Sequence, residues 1–321
     1  MKIFVVIPSW NGADYLKDCL ESLNKQTYPH KVILVDNGST DNTTELLNEK
    51  FKKVIIVKNS KNLGFAGGVN SGIKYALEND ADGAALFNND AVADKNWLKS
   101  LVDSMSKEES IGIVASKIMI EKSDKLDSTG EFYSTYGIPF PRGRNQIDKG
   151  QFDKENAVFG ASGGASLYRT KLLREIGIFD ERFFAYYEDV DISFRAHLAG
   201  WRIAHEPKAI AYHKVGGTSS KMGDFTRYHS IKNFLILYTK DMPTKLYWKY
   251  LPKFLYQFAR TTIRSLVDGK PHVWAKSVAV FLFYLPSILI DRQRIQRSKK
   301  ISTKYIDEIL YKERPPKIPS V

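Results

Sequence analysis

Two apolar runs of the chain end in carboxylates that could hold a charged ligand. "FNND" (87–90) closes one run on Asp90, and "VDNGSTDNT" (35–43) closes another on Asp36. A carboxylate is a hard oxygen ligand for a divalent cation, and a bound diphosphate would supply further oxygens. The carboxylate of Asp36 could instead accept hydrogen bonds from a nucleoside. Both residues also suit tight turns, so a purely structural role stays open at each position.

The densest acidic cluster lies in "FFAYYEDVDISFRAHLAGW" (183–201), where Glu188, Asp189 and Asp191 open a helical pattern. Acidic residues favour a helix N-terminus through the macrodipole, which is explanation enough for their presence. The five apolar or aromatic residues in front of them would also raise a carboxylate pKa and make a useful general base. Arg195 follows Asp191 by four residues and suits an ion pair on one helix face.

Glycines and one histidine add to this set. In "NLGFAGGVNSGI" (62–73), Gly64, Gly67 and Gly68 precede a helix whose free N–H groups could face a phosphate. The same glycines could serve only a tight turn and close helix packing. His213 ends an apolar run, and it is either a hydrogen-bonded structural residue or a second metal ligand beside one carboxylate.

Alternating strand and helix patterns over the first 115 residues predict where these side chains lie. The predicted strands are 2–8, 31–36, 53–59, 83–88 and 111–116, and the predicted helices are 13–26, 40–51, 66–79 and 96–106. Such alternation is typical of βαβ units, which build a mostly parallel sheet covered on both faces. Right-handed crossovers place the carboxyl ends of the strands at one edge, where ligands bind.

The rest of the chain is predicted to be less regular. An irregular loop or hairpin region covers about 117–165, before a strand at 163–169 and helices at 170–177 and 188–200. Two short strands follow, at 201–207 and 208–214, and a helical, aromatic region begins near 224. We therefore expect a catalytic domain over residues 1–223 and a helical, basic region over residues 224–321.

The charge of the chain is concentrated in its last part. The net charge is +12, yet residues 245–321 hold 16 Lys and Arg against 5 Asp and Glu, so the preceding part is nearly neutral. Segment 277–290 is uncharged but shorter than the roughly 20 residues of a bilayer span. Aromatic and basic residues on helices suit an anionic membrane surface. The alternative is a helical bundle that packs on the catalytic domain or forms a homodimer.

Several function classes fit the sequence poorly. An NAD-dependent oxidoreductase predicts G-x-G-x-x-G after the first strand, where this chain reads "PSWNGAD". A nucleic-acid-binding module fits the pI of about 9.4, but no base-stacking or groove-reading motif accompanies the charge. One cysteine, Cys19, excludes a disulfide framework and suggests a reducing compartment.

The ordered motifs resemble the family 2 glycosyltransferases, which are inverting enzymes with the Rossmann-like α/β GT-A fold. The resemblance covers roughly residues 1–220 and is strongest to the rhamnosyltransferase and galactofuranosyltransferase branch. It rests on five stretches that occur in the family's order and spacing: "VVIPSWNG", "VDNGSTDNT", "NLGFAGGVNSGI", "LFNND" and "FFAYYEDVDISFRAHLAGWRI".

The resemblance implies a role for each matching residue. Nucleotide-sugar binding is implied for Pro8, Ser9, Trp10, Asn11, Asp36, Gly38, Asn62, Gly67, Asn70, Asn88, Asn89 and Asp90. Asn88 to Asp90 match the family's D-x-D motif, with Asn in place of its first Asp, and His213 matches a histidine that joins the metal. Asp189 matches the catalytic base, with Glu188 as its neighbour. The acceptor or donor-sugar region would include Gly163, Gly164, Asp191 and Arg195.

The resemblance also implies a reaction. Asp189 would take the proton of an acceptor hydroxyl, and Mg²⁺ or Mn²⁺ at Asp90 would stabilise the departing diphosphate. dTDP-rhamnose is the favoured donor, with UDP-galactofuranose, UDP-glucose, UDP-galactose and UDP-N-acetylglucosamine as alternatives. The expected acceptor is a lipid-linked or polysaccharide hydroxyl in cell-surface glycan synthesis. We expect a cytoplasmic enzyme, peripheral on the inner face of the membrane, that does not bind nucleic acid.

Overall fold

The computed structural model describes residues 1–155, 157–214 and 223–316. Its strands are β1 Ile3–Ser9, β2 His30–Asp36, β3 Ile55–Lys58, β4 Gly83–Phe87, β5 Ala91–Ala93, β6 Ile111–Ile120, β7 Leu126–Ser128, β8 Glu131–Tyr133, β9 Pro139–Pro141, β10 Ala165–Arg169 and β11 Arg202–His213. Its helices are α1 Ala13–Asn24, α2 Thr43–Lys50, α3 Gly64–Glu78, α4 Trp97–Ser106, α5 Thr170–Ile176, α6 Glu188–Leu198, α7 Gly223–Asp241, α8 Thr244–Val267, α9 Pro271–Arg297 and α10 Thr303–Ile309.

The central sheet is mixed, and most of its strands run in one direction, as predicted. Its strand order is β3-β2-β1-β4-β10-β6-β11-β5, with β7 paired to the far end of β6. Strands β1 to β4, β6 and β11 share one direction, whereas β10 and β5 run against their neighbours. The carboxyl ends of β1, β2 and β4 therefore meet at one edge, which is where the polar motifs follow them.

Apolar side chains on the two faces of the sheet make two separate cores, because successive residues of a strand point to opposite faces. Val5 and Ile7 of β1 join the core under α1 and α4, while Phe4 and Val6 join the core under α3 and α6. Helix α3 lies very close to the sheet: a Cβ at Gly72 would stand 2.4 Å from a methyl of Val6. The glycine there permits that contact.

The region predicted as irregular contains more strand than expected. Strand β6 continues to Ile120, β7 pairs with its end, and β8 and β9 form a separate hairpin. The two short strands predicted at 201–214 are one strand, β11, with a register shift between Glu206 and Ile210. Pro207 lies in this irregular stretch. Proline has no backbone N–H to donate to the neighbouring strand, so regular pairing is interrupted there. Strand β5 was not predicted, because a strand of three residues is too short to show an alternating apolar and polar pattern.

The helices after residue 223 share a third core with the body of the protein. Phe183 and Phe194 from the α6 region pack in one buried cluster with Phe234 of α7 and Ile288 of α9. Lys240 of α7 is also paired with Asp191 of α6. The predicted division at residues 223 and 224 falls at the start of α7, and it stays a prediction about domain organisation.

Candidate active site

The loops after β1 and β2 are tied together at the carboxyl edge of the sheet. Asn37 N–H donates to the Ser9 carbonyl (2.8 Å), and Asn11 Oδ1 accepts from Thr40 N–H (2.8 Å). Pro8 lies within β1 opposite Val35. Trp10 is 38% exposed, so its ring is accessible at this edge. The residues predicted to hold the nucleoside are thus brought together, and their ligand role stays a prediction.

Asp36 is engaged by its own turn. Its Oδ1 accepts from Ser39 N–H (2.9 Å), and Oδ2 lies 3.4 Å from Thr44 Oγ1. Gly38 has a left-handed φ of 76°, and a Cβ there would stand 2.8 Å from the backbone of Lys61. The turn that one of the two alternatives predicted is therefore present, and nucleotide binding by Asp36, whose Oδ2 has only the long contact to Thr44, stays a prediction.

Asn37 is a residue that sequence reasoning missed. It is buried, and its Nδ2 donates to Asn62 Oδ1 (3.1 Å) and to the Gly64 carbonyl (2.9 Å). Its Oδ1 accepts from Leu63 N–H (3.1 Å), so one amide fixes the loop before α3 to the end of β2. The sequence showed only a turn-forming Asn-Gly pair there.

The glycines before and in α3 have packing reasons. Gly64 has a φ of 73°, and a Cβ there would stand 2.4 Å from the Phe184 carbonyl oxygen. A Cβ at Gly67 would stand 2.5 Å from the Leu63 side chain. These contacts support the packing alternative for both glycines, and phosphate binding by this helix terminus stays a prediction.

The D-x-D-like stretch meets His213 as the resemblance implies. His213 Nε2 lies 3.2 Å from Asp90 Oδ1, and its Nδ1 lies 2.9 Å from Asp127 Oδ2. Burial disfavours the imidazolium, but Asp127 and Asp90 outweigh it and raise the pKa of His213 to about 10. Burial likewise disfavours the charged form of Asp127, yet the hydrogen bond from His213 and the charge of Arg144 lower its pKa.

This corner fits a divalent cation that also binds a diphosphate. Asp90 Oδ1 is buried, and within the described ranges the His213 imidazole nitrogen at 3.2 Å is the one polar group that it faces. No cluster of three or more metal-ligating side chains occurs in residues 1–155, 157–214 and 223–316, so diphosphate and water would complete the shell. Asp127 holds the second ring nitrogen, as carboxylates commonly do behind a metal-bound histidine.

The two amides before Asp90 have different surroundings. Asn88 lines a small cavity of about 30 Å³ together with Asp127, Gly164 and His213. Asn89 Nδ2 donates to Ser9 Oγ (3.0 Å), and a Cβ at Gly12 would stand 2.1 Å from that same nitrogen. Asn89 therefore shapes the turn, whereas Asn88 faces the corner that holds His213.

Asp189 is positioned beside the loop that precedes β10. Its Oδ2 accepts from Gly163 N–H (3.0 Å), and Oδ1 accepts from Val190 N–H (2.9 Å). Burial raises the pKa of Asp189, and these two hydrogen bonds oppose the rise. A Cβ at Gly163 would stand 2.8 Å from the Phe65 ring, so glycine keeps this approach open.

Two further carboxyl groups, those of Glu188 and Glu131, lie near Asp189. Glu188 is buried, and its Oε2 has no hydrogen-bond partner in the part of the chain that the structure describes. Its burial and the neighbouring Asp189 charge raise the pKa of Glu188 well above the usual value. Glu131 of β8 is also buried, and burial with Asp189 raises its pKa strongly. Neither Glu131 nor Asp127 was predicted, because both lie in the irregular region.

Three predicted site residues are bonded to neighbouring parts of the protein. Asp191 pairs with Arg195 (2.8 Å), whose guanidinium also donates to the Ile178 carbonyl (3.0 Å). Asn70 Nδ2 donates to the Phe179 carbonyl (2.9 Å) and Glu181 (3.0 Å). These contacts give the three side chains structural partners, and the assignment of Asp191, Arg195 and Asn70 to sugar or nucleotide binding stays a prediction. The i, i+4 pair predicted for Asp191 and Arg195 is present.

The chain is similar in sequence to a rhamnosyltransferase and to a polysaccharide synthase. It is 27% identical over 258 residues to the N-acetylglucosaminyl-diphospho-decaprenol L-rhamnosyltransferase of Mycobacterium tuberculosis, covering 73% of this chain and 83% of that one. It is 26% identical over 223 residues to the poly-beta-1,6-N-acetyl-D-glucosamine synthase of Staphylococcus epidermidis. The latter match covers 67% of this chain but only 50% of the synthase.

Solved structures show the same fold. S. aureus TarS 1–349 in complex with UDP-GlcNAc matches with a TM-score of 0.60 and 17% identity, over 97% of this chain and 93% of that one. The mannosyltransferase PcManGT from Pyrobaculum calidifontis, in complex with GDP-Man and Mn²⁺, matches with a TM-score of 0.56 and 15% identity, over 92% and 85%. Together with the mixed sheet covered by helices, these likenesses confirm the predicted GT-A fold.

The sequence model of one family covers more than half of the chain. It is described as glycosyl transferase family 2 and matches residues 4–177, from β1 through α5. Asp36 and Asp90 lie inside this range, while Asp189 and His213 lie beyond it. The resemblance read from the motifs is thereby confirmed, and the chain belongs to glycosyl transferase family 2.

Proposed function

We propose that this glycosyltransferase is metal-dependent and inverting, and that it moves a sugar from a nucleotide diphosphate to an acceptor hydroxyl. One observation carries the proposal. The segment Ser162 to Gly164 contacts Asp189 through Gly163 N–H, and its Gly164 carbonyl accepts from Asn88 N–H (2.9 Å). It therefore joins the base to the corner of Asp90 and His213.

The reaction needs one base and no covalent enzyme intermediate. Asp189 accepts the proton of the acceptor hydroxyl, and the resulting oxygen forms a bond to the anomeric carbon. The bond from that carbon to the diphosphate oxygen breaks, and its electron pair leaves with the nucleotide. A single displacement inverts the anomeric centre. Asp90 and His213 would hold Mg²⁺ or Mn²⁺, whose positive charge would stabilise the negative charge on the leaving diphosphate.

Relatives guide the choice of donor and acceptor. The M. tuberculosis relative is named a rhamnosyltransferase that acts on a lipid-linked N-acetylglucosamine, and the S. epidermidis relative is named a polysaccharide synthase. We accordingly favour dTDP-rhamnose as donor and a lipid-linked or polysaccharide acceptor in cell-surface glycan synthesis. The TarS complex contains UDP-GlcNAc, which makes UDP sugars the second choice.

The C-terminal helices support a position at the membrane. Helix α9 is long and apolar enough to cross a bilayer by length and composition, and only 17% of its most apolar window is buried. Exposed apolar residues recur at helical spacing on α8 and α9, at Trp248, Leu255, Tyr256, Ile263, Leu266, Val267, Leu282, Phe283, Leu289 and Ile290. We propose that these stripes contact the cytoplasmic face of the membrane, where a lipid-linked acceptor would lie.

A donor panel followed by a base variant tests the catalytic proposal. Thermal shifts with dTDP-rhamnose, UDP-N-acetylglucosamine, UDP-galactofuranose, UDP-glucose and UDP-galactose should reveal a donor whose stabilisation requires Mn²⁺. Asp189→Asn should keep that stabilisation and lose turnover by about a hundredfold or more. Full turnover in Asp189→Asn would remove the base assignment. If no nucleotide sugar shifts the melting temperature, the proposed function is wrong.

A further inference from the structure

The segment before the catalytic base has an unusual backbone. Phe184, Tyr186 and Tyr187 have φ values of 65°, 71° and 72°, in the left-handed region that non-glycine residues rarely adopt. Tyr187 is the N-cap of α6, so the next two residues are Glu188 and Asp189. A backbone of this kind persists only where its surroundings hold it firmly. The direction in which the Asp189 side chain points therefore depends on the contacts that keep this loop in its conformation.

Side chains of helix α7 make hydrogen bonds to several backbone carbonyls of this loop. Asn233 is fully buried, and its Nδ2 lies within hydrogen-bond distance of three loop carbonyls: Tyr186 (2.6 Å), Ala185 (2.8 Å) and Phe183 (3.0 Å). An amide has only two N–H donors, so the three acceptors share them. The His229 ring is also 3.2 Å from the Phe183 carbonyl through Nδ1.

The opposite side of the loop contacts helix α3. Ala66 N–H at the start of α3 donates to the Phe184 carbonyl (3.1 Å). A Cβ at Gly64 would stand 2.4 Å from the same carbonyl oxygen. The loop thus lies between α3 and α7, and Asn233 is the one side chain in the described residues that bonds three of its carbonyls.

We propose that Asn233 is a positioning residue for Asp189, so that the first helix of the C-terminal region is part of the catalytic apparatus. Asn233 does not touch Asp189 or any reacting atom in this arrangement. It fixes the left-handed backbone from which α6 begins, and so it fixes where the Asp189 carboxylate points. The inference rests on the proposed function for its kinetic test, but its structural test does not.

The kinetic test compares substitutions at two buried positions of helix α7. Asn233→Leu keeps the side-chain volume and removes both donors, and Asn233→Ser keeps one donor should the Leu variant fail to fold. Tyr238→Phe is the matched control, because it also lies buried on α7 and loses one hydrogen bond, to the Tyr247 carbonyl (2.7 Å). With dTDP-rhamnose as donor, we expect Asn233→Leu to lower kcat roughly 10- to 100-fold while KM for the donor changes less than about threefold.

A double variant shows whether Asn233 acts through the base. If it does, adding Asn233→Leu to Asp189→Asn should leave the residual rate within about twofold of Asp189→Asn alone. A further tenfold loss in the double variant would overturn the inference. So would a Tyr238→Phe loss equal to that of Asn233→Leu, since the effect would then be general to the packing of α7.

Backbone hydrogen exchange tests the clamp without any sugar. Exchange measured by mass spectrometry should be faster in peptides that cover 183–191 for Asn233→Leu or Asn233→Ser than for Tyr238→Phe. Equal protection in all three variants would overturn the inference. If the wild-type protein transfers no sugar from dTDP-rhamnose, the donor proposal fails, while the exchange result still decides whether Asn233 holds the loop.

Discussion

Asp127 Oδ2 lies 2.9 Å from Nδ1 of His213, although 86 residues separate the two in the chain. The other ring nitrogen faces Asp90, so Asp127 sets both the orientation of the ring and which nitrogen can meet a cation. The proposed metal corner is thus built from a D-x-D-like turn, the end of β11 and a short strand in the region that was predicted to be a loop or hairpin.

Removal of Asp127 should weaken the metal site without removing a ligand. We expect Asp127→Ala to lower the affinity for Mn²⁺ by about 10- to 100-fold, because His213 loses the carboxylate that orients it. Calorimetric titration of Mn²⁺ in the presence of dTDP measures this directly. Asp148→Ala is the control, since Asp148 lies in the same region and pairs with Lys117 (2.9 Å) away from the corner. Equal Mn²⁺ affinity in the two variants would contradict the role of Asp127.

The pH profile should report the raised pKa of Asp189. A base works only when it is deprotonated, so turnover should fall as pH drops through its pKa. Burial raises that pKa. The acidic limb of kcat/KM should therefore lie above the value of about 3.9 for a free aspartate.

Protonation of His213 would give an acidic limb of its own, because protons compete with the metal for the ring. The two causes separate on raising the Mn²⁺ concentration: a limb due to His213 moves to lower pH, and a limb due to Asp189 stays. A limb that disappears at high Mn²⁺ would contradict the assignment to Asp189.

A buried ion-pair network should make α7 necessary for stability. Lys240 is buried and lies 2.6 Å from Asp180 Oδ2, and it also contacts Asp191. Burial alone would raise the pKa of Asp180, but Lys240 and Arg182 outweigh it and hold that pKa well below its usual range. Asp180 therefore stabilises the fold above its unfolded pKa, and this contribution is lost as pH falls towards its folded pKa.

Lys240→Met should lower the free energy of unfolding, measured by urea denaturation, by about 3 kcal/mol, because it removes one of the two cations paired with each of the buried carboxylates Asp180 and Asp191. Lys249→Met is the control: Lys249 pairs with Asp307 (2.6 Å) on the surface, where solvent screens the pair and its loss should change the free energy of unfolding much less. Similar losses in the two variants would show that the network around Lys240 contributes little.

The sequence was sufficient where local pattern decides structure. Alternating strands and helices gave the parallel half of the sheet, and Asp90, Asp189 and His213 lie at a connected site. The functional residues that the sequence did not reveal are defined by contacts between segments far apart in the chain. Asp127 meets His213, and Asn37 reaches across to the loop before α3. Asp191 pairs with Arg195 as its spacing predicted, but its second partner, Lys240, belongs to another helix and could not be read from the local pattern.

The apolar stripes on α8 and α9 should decide where the protein resides. Phe283 is 79% exposed and Ile290 is 68% exposed, and seven residues place them on one side of α9. Phe283→Ser combined with Ile290→Ser should weaken binding to phosphatidylglycerol vesicles at low salt by at least about tenfold, since each side chain loses roughly 1.5 kcal/mol or more of burial. Ile147→Ser is the control, because Ile147 is an exposed apolar residue in the segment between β9 and β10, outside both stripes.

Sedimentation with vesicles and light scattering separate the two explanations for the stripes. A wild-type protein that stays in the supernatant at low salt contradicts the membrane proposal. If it is a dimer in solution and the double serine variant is a monomer, the stripes are a subunit interface instead. Binding that persists in the double variant but is lost at high salt would assign attraction to the 16 Lys and Arg of residues 245–321 rather than to apolar burial.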